Sequence, residues 1–319
     1  MTVITSGKTR AIRELQGTVR SVILLSAVVL FALFVSETIS DSVIRGMKFA
    51  VFTVLPTSYP FMIIGDLYVS VGAPEKIWPL KRIMTRLLGV SEMGLSTFIC
   101  GTVAGFPLGA KIASELYTGG YITQKEAEKL AAISNNPSIP FITAAVGEKV
   151  YGNAKIGLFL LIVIYISTLI SANLWNTRHK HSLTNEKAPK IHFSFTSSVR
   201  NAALASINII AFVTVFFAIT AIISLFIKNP VILSLISALL EVTTAVNYAS
   251  LLPFPLAVKL VITAFALGFG GLSVMMQSGI FTKSAGLSLK TYFFIKLTEG
   301  VISALLCAFS IFLFPEFFK

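Results

Sequence analysis

Residues Glu92 to Pro140, EMGLSTFICGTVAGFPLGAKIASELYTGGYITQKEAEKLAAISNNPSIP, decide how the rest of the chain is read. The stretch is apolar enough to lie in a membrane. It nevertheless breaks helical geometry twice, at Gly105-Phe106-Pro107-Leu108-Gly109 and at Asn135-Asn136-Pro137-Ser138-Ile139-Pro140. Each Pro removes a backbone donor, and Gly loosens the backbone. A free N–H or C=O is costly in hydrocarbon, so a broken helix persists only where it is buried in protein or lines a cavity. Broken apolar segments at corresponding places in two halves of a chain point to a transporter binding site.

The composition supports a membrane reading. Of 319 residues, 55% are hydrophobic and 13% charged, whereas a soluble domain carries about 25% charged residues. The net charge of +12 arises from 26 Lys and Arg against 14 Asp and Glu. These basic residues cluster in short connections, which suits membrane topology and an anionic cytoplasmic leaflet. No nucleic-acid motif is present. Cys100 and Cys307 lie far apart in apolar runs and read as small apolar filler. His179, His181 and His192 share one polar loop, and no cofactor or metal site is expected from them.

Residues 1–41 read as a basic tail and a first crossing, Val22 to Ile39, which is retained rather than cleaved. Four basic residues ahead of it, Lys8, Arg10, Arg13 and Arg20, place the N-terminus in the cytoplasm. Ser42 to Phe52 is amphipathic and leads into a second crossing, up to about Gly72, that is interrupted by Pro56 and Pro60 and carries Asp66. In KIWPLKRIMTRLL, Lys76 to Leu88, the apolar residues recur at helical spacing with Lys81, Arg82 and Arg86 opposite. This pattern predicts an interfacial helix or one packed on the protein. Glu92–Ala104 and Leu108–Leu116 are each too short to span, so a re-entrant hairpin is expected around Pro107. Thr123 and Glu126 form a capping-box signature. The helix that follows should break at Asn135-Asn136-Pro137 and resume from Phe141. Ile156 to Trp175 reads as an uninterrupted crossing, and the basic loop Asn176–Arg200 should be cytoplasmic.

Beyond that loop the pattern restarts. Ser198-Val199-Arg200-Asn201 echoes Ser42-Val43-Ile44-Arg45, Glu241 echoes Glu92, and Gly268–Gln277 takes the place of Gly105–Lys111. The expected architecture is therefore an all-α polytopic membrane protein built from two structural repeats. They cover residues 42–175 and 198–319, are joined by the loop 176–197, and are inverted relative to each other. The last crossing, about Lys290 to Phe314, carries Lys296 and Glu299 one turn apart, able to pair on one face.

At these residues the chain resembles the sporulation integral membrane proteins of the YlbJ type, within the nucleoside-recognition (Gate) domain group. The resemblance rests on AGFPLGAK, the ITQKEAEKL segment, the Ser-Asn-Asn break and the second-half GFGGLSV turn. Where that family carries a His near the second turn, this chain has Met275 and Met276. The resemblance implies a multi-pass permease of the cell membrane, loosely akin to concentrative nucleoside carriers. It also implies a role in moving dipicolinate or a similar metabolite during spore formation, in the forespore membrane.

The candidate substrate site comprises Gly105, Phe106, Pro107, Gly109, Lys111, Asn135, Asn136 and Pro137 from the first half, with Gly270, Gly271, Ser273 and Gln277 from the second. The first turn can aim backbone N–H groups and a half-helix N-terminus at an anion, with Lys111 adding charge. Equally, its small residues can serve close helix packing and Lys111 can snorkel. Asn135 and Asn136 offer donors and acceptors, or cap a helix. Glu92, Glu241 and Glu299 are the buried charges that can carry protons, or they cap helices and pair. Three classes compete: a permease for a small polar or anionic metabolite, an intramembrane enzyme, and a structural or assembly factor. No nucleophile–base pair or metal cluster supports the enzyme, so no catalytic residue is expected. The expected partners are a small-molecule substrate and the lipid bilayer. A nucleoside remains the alternative cargo.

Overall fold

The computed structural model describes residues 19–70, 81–175 and 194–318. It is helical throughout. In chain order the elements are α1 (Val19–Phe34), α2 (Ser36–Phe49), a π-helical segment (Ala50–Val54), α3 (Leu55–Ser70), α4 (Lys81–Leu88), α5 (Glu92–Ala104) and α6 (Leu108–Thr118). They continue with α7 (Gln124–Ile133), a second π-helical segment (Phe141–Val150), α8 (Ala154–Leu174), α9 (Phe195–Phe226), α10 (Pro230–Leu240) and α11 (Val242–Ser250). Last come α12 (Leu256–Phe269), α13 (Gly271–Ser284), α14 (Leu289–Leu313) and a 3-10 turn (Pro315–Phe318).

Among the described residues, five segments are long and apolar enough to cross a membrane: Ser36–Leu67, Ala154–Leu174, Phe195–Phe226, Leu256–Ser284 and Leu289–Leu313. A sixth arises if α4 and α5, bent by 87° at their junction, form one broken span. The outer faces of α1 and α9 carry exposed Leu, Ile, Val and Phe side chains. Only a lipid phase satisfies so much contiguous apolar surface without aggregation. The protein is therefore a multi-pass membrane protein. The loop 176–193, with its three histidines, and the start of the interfacial segment at Lys76 lie outside the described residues.

Local chemistry explains the irregular elements. Pro56 and Pro60 remain inside helix, because the π-helical segment just before Pro56 absorbs the mismatch. The carbonyl of Phe52 lies four residues before Pro56, whose ring nitrogen has no N–H to offer it. Lys149 Nζ supplies a replacement at 3.1 Å. Small residues allow the helices to touch. A Cβ on Gly65 would meet Ala104 Cβ at 2.6 Å, and one on Gly268 would meet Ser303 Oγ at 2.4 Å. Close approach at small residues is the usual packing mode where no hydrophobic effect drives helices together. Through such contacts α12 packs along α14, and α9 covers α2 and α3.

The two hairpins define the architecture. In the first, α5 and α6 pack together across the turn 105–107, with Gly105 at φ +79° and a cis Phe106–Pro107 peptide. In the second, α10 and α11 pack together across the single residue Glu241. Each hairpin leads into a helix that is itself broken, α7 at 134–138 and α12–α13 at Gly270. The two glycine-rich turns thus differ in setting: residues 105–107 join the two short helices of a hairpin, whereas Gly270 interrupts a span-length helix.

Candidate functional site

The two breaks of the first half meet, as the sequence leads one to expect. A Cβ on Gly101 would fall 1.9 Å from the carbonyl oxygen of Ser134, and one on Gly109 2.2 Å from the same atom. Phe106 N–H donates to Asn136 O at 3.1 Å. Glycine is thus required at the first tip by close approach to the second break. The backbone at 108–109 and at 139–140 is already helical, so both breaks are shorter than their sequence signatures. Pro137 lies within the second one.

The tip has fewer open N–H groups than its sequence implies. Those of Gly105, Phe106 and Leu108 donate to Gly101 O, Asn136 O and Gly105 O. Lys111 N–H donates to Pro107 O. The Lys111 ammonium lies 3.9 Å from the carboxylate of Glu115. Together with residues 105–108 it lines a pocket of about 340 Å³. The opposite walls are Met62 and Asp66 of α3, Asn201 and Asn208 of α9, and Ile280 and Phe281 of α13.

Behind the tip lies a buried polar cluster. Lys296 Nζ donates to Glu299 Oε2 at 3.0 Å and to Asn136 Oδ1 at 2.7 Å. Asn136 Nδ2 donates to Thr168 Oγ1 at 3.0 Å and to Ile133 O at 3.1 Å. Thr168 Oγ1 in turn donates to the other Glu299 oxygen, Oε1, at 2.7 Å. The expected pairing of Lys296 with Glu299 is therefore present, inside a ring closed by α8 and the α7 break. All four side chains are buried. Taking both ions out of water costs several kcal/mol, and the ring recovers it only by satisfying the carboxylate and the ammonium together.

Next to this ring, Asn135 Nδ2 donates to Ser278 Oγ at 2.8 Å and to Tyr292 OH at 2.7 Å. Gln277 Nε2 donates to Ser273 Oγ at 3.3 Å, so this pair does share one face of α13. Asn135 Oδ1, Gln277 Oε1 and Ser134 Oγ are buried without partners. Buried polar groups are nearly always bonded, so each of these requires a reason. Thr168, Ser278 and Tyr292 carry no signal in the sequence. A lone hydroxyl in an apolar helix has no spacing that marks it.

The remaining acids differ in role. Glu92 is not a buried charge: its side chain is 72% exposed, and it pairs with Lys81 across the α4–α5 bend. It occupies the first turn of a helix, where the peptide dipole favours an acid at the surface. Nor does Glu126 close the capping box. Thr123 Oγ1 accepts from Glu126 N–H at 3.3 Å, but the Glu126 carboxylate takes Ser91 N–H at 2.6 Å instead. Glu241 is buried and caps α11. Its oxygens accept from Thr243 N–H at 3.0 Å, Thr244 N–H at 2.6 Å and both threonine hydroxyls. A Cβ on Gly271 would lie 2.8 Å from Leu240 O, so the Gly270–Gly271 break seats against this second tip.

Fold and site together define the class: a multi-pass, all-helical membrane protein whose broken helices enclose a buried polar cluster beside a pocket. The chain is similar to a sporulation integral membrane protein, YlbJ of Bacillus subtilis (strain 168). The two are 25% identical over 295 residues, covering 79% of this chain and 72% of that one. No protein-family model matches the chain, and no solved structure matches it.

Proposed function

We propose that the protein is a permease for a small polar or anionic metabolite, with a dipicolinate-type carboxylate moved during sporulation as its cargo. The observation that carries this reading is the pocket at the first hairpin tip. It is the size of a small-molecule site, sits between membrane-spanning helices, and combines the Lys111 cation, the Asp66 carboxyl and the carboxamides of Asn201 and Asn208 on otherwise apolar walls. A structural membrane factor gains nothing from a polar pocket backed by buried ions. The similarity to a sporulation membrane protein supports the setting, and the carboxylate cargo follows from the sequence resemblance.

The two halves read as inverted repeats in this proposal. Hairpin α5–α6 corresponds to α10–α11, and the 134–138 break corresponds to Gly270. In both, a glycine without room for a Cβ seats hairpin tip against helix break. Rocking one hairpin with its break against the flanking helices would alternate access to the pocket. A nucleoside is the second reading, favoured by Asn135 Oδ1 and Gln277 Oε1. Both are buried acceptors without donors and lie outside the pocket lining, so a sugar hydroxyl or a base N–H would reach them once the hairpin moves.

Two substitutions separate the cargoes. A charge-assisted hydrogen bond contributes roughly 1.5–3 kcal/mol. Lys111→Met is therefore expected to weaken dipicolinate binding by about tenfold to a hundredfold and to leave nucleoside binding almost unchanged. Gln277→Leu should do the reverse, costing about 1 kcal/mol for the nucleoside through a neutral hydrogen bond. Calorimetry on the detergent-solubilised protein measures both. If neither substitution shifts either affinity in folded protein, the site assignment is wrong. Asn136→Ala is unsuited to this purpose, because its carboxamide is wholly engaged by Lys296, Thr168 and Ile133.

A further inference from the structure

Asp66 is a buried acid that the reading above leaves without a role. It is only 3% exposed within the span Ser36–Leu67. Its Oδ2 accepts from Asn201 Nδ2 at 2.9 Å, and both residues face the same 340 Å³ pocket as Lys111. An acid inside a spanning segment is costly unless it serves the pathway. We infer that Asp66 takes up one proton when an anionic ligand enters this pocket, so that ligand and proton cross the membrane together. The inference rests on the permease reading and adds its coupling ion.

The charges around the pocket carry the argument. From α3 comes Asp66 itself. From α6 come Lys111 and Glu115, the latter within electrostatic reach of Asp66. From α5 comes the buried thiol of Cys100. The contributions of α9 are the neutral Asn201 and Asn208, and those of α13 the apolar Ile280 and Phe281. Among the described residues, one lysine thus stands with two carboxylates before any ligand arrives. An arriving carboxylate would be a third anion in a low-dielectric space, and like charges sharing such a site do not all stay ionised. Protonating Asp66 removes the one carboxylate of the two that lines the pocket.

The step balances simply. A proton from water on the loading side forms an O–H bond on the Asp66 carboxyl, and that bond breaks to water on the release side. No bond of the ligand changes. Asn201 suits both states, because its Nδ2 can donate to a carboxylate or to the carbonyl oxygen of the neutral acid.

The test uses the full-length protein and radiolabelled dipicolinate, both carboxyl groups of which stay ionised between about pH 6 and 8. In weakly buffered detergent solution, binding should absorb about one proton per ligand, and affinity should tighten by up to about tenfold per unit fall in pH. In proteoliposomes, an alkaline interior should drive accumulation. Asp66→Asn should lose the response to the gradient and the proton uptake on binding, whereas Asp66→Glu should retain both. Ligand binding without proton uptake, or an Asp66→Asn protein that still follows the gradient, overturns the inference alone. A wild-type protein that exchanges no dipicolinate at all overturns the carboxylate cargo and the inference with it.

Discussion

Lys296→Met is expected to destabilise the protein by roughly 3–5 kcal/mol, the usual cost of removing one partner of a buried ion pair. The substitution leaves Glu299 charged and fully buried, with only the Thr168 hydroxyl still donating to it. It also orphans Asn136 Oδ1, so the α7 break loses one of its ties to α14 and keeps the one from Asn135 to Tyr292. Thermal unfolding in detergent measures the loss. The double substitution Lys296→Met with Glu299→Gln should recover much of it, because a neutral amide replaces the stranded charge. A double variant no more stable than the single one would mean that the ring is held by packing rather than by charge.

Gly101→Ala and Gly109→Ala should be damaging for a different reason. Each adds a methyl group about 2 Å from the Ser134 carbonyl oxygen, a backbone atom that cannot rotate away. Overpacking of this kind costs roughly 1–3 kcal/mol and sometimes more. The cost here falls on the contact between hairpin tip and helix break, so exchange of dipicolinate should fail even in protein that still folds. Gly279→Ala is the control. Its added methyl would meet only the flexible end of the Leu289 side chain, at 3.3 Å, and both melting temperature and exchange should hold. Loss of exchange in the control, or its retention in Gly101→Ala, would remove the tip–break contact from the account.

Much of the fold was legible because membrane helices announce themselves. Apolar length marked α8, α9 and α14, and proline with glycine or asparagine marked the breaks. The bounds of α5 were readable to the residue, since Ser91 caps its start and Gly105 ends it. The pairing of Lys296 with Glu299 followed from one-turn spacing. What spacing does not encode is which distant elements meet. Glu92 and Glu241 look alike in sequence, yet one faces water beside Lys81 and the other is swallowed by two threonines. The two glycine-rich turns also look alike, yet one joins two short helices and the other interrupts a span-length one. Asp66 was visible as an acid in an apolar run, but its pocket needs α9, contributed from 135 residues further along the chain.

The most direct test of the central claim is counterflow in proteoliposomes. Vesicles holding the purified protein are preloaded with unlabelled dipicolinate and diluted into a trace of the labelled compound. The account predicts transient accumulation of label above its equilibrium level, abolished by Gly101→Ala and strongly reduced by Lys111→Met. Label that only equilibrates at the rate of protein-free vesicles, with uridine equally inert, would contradict it.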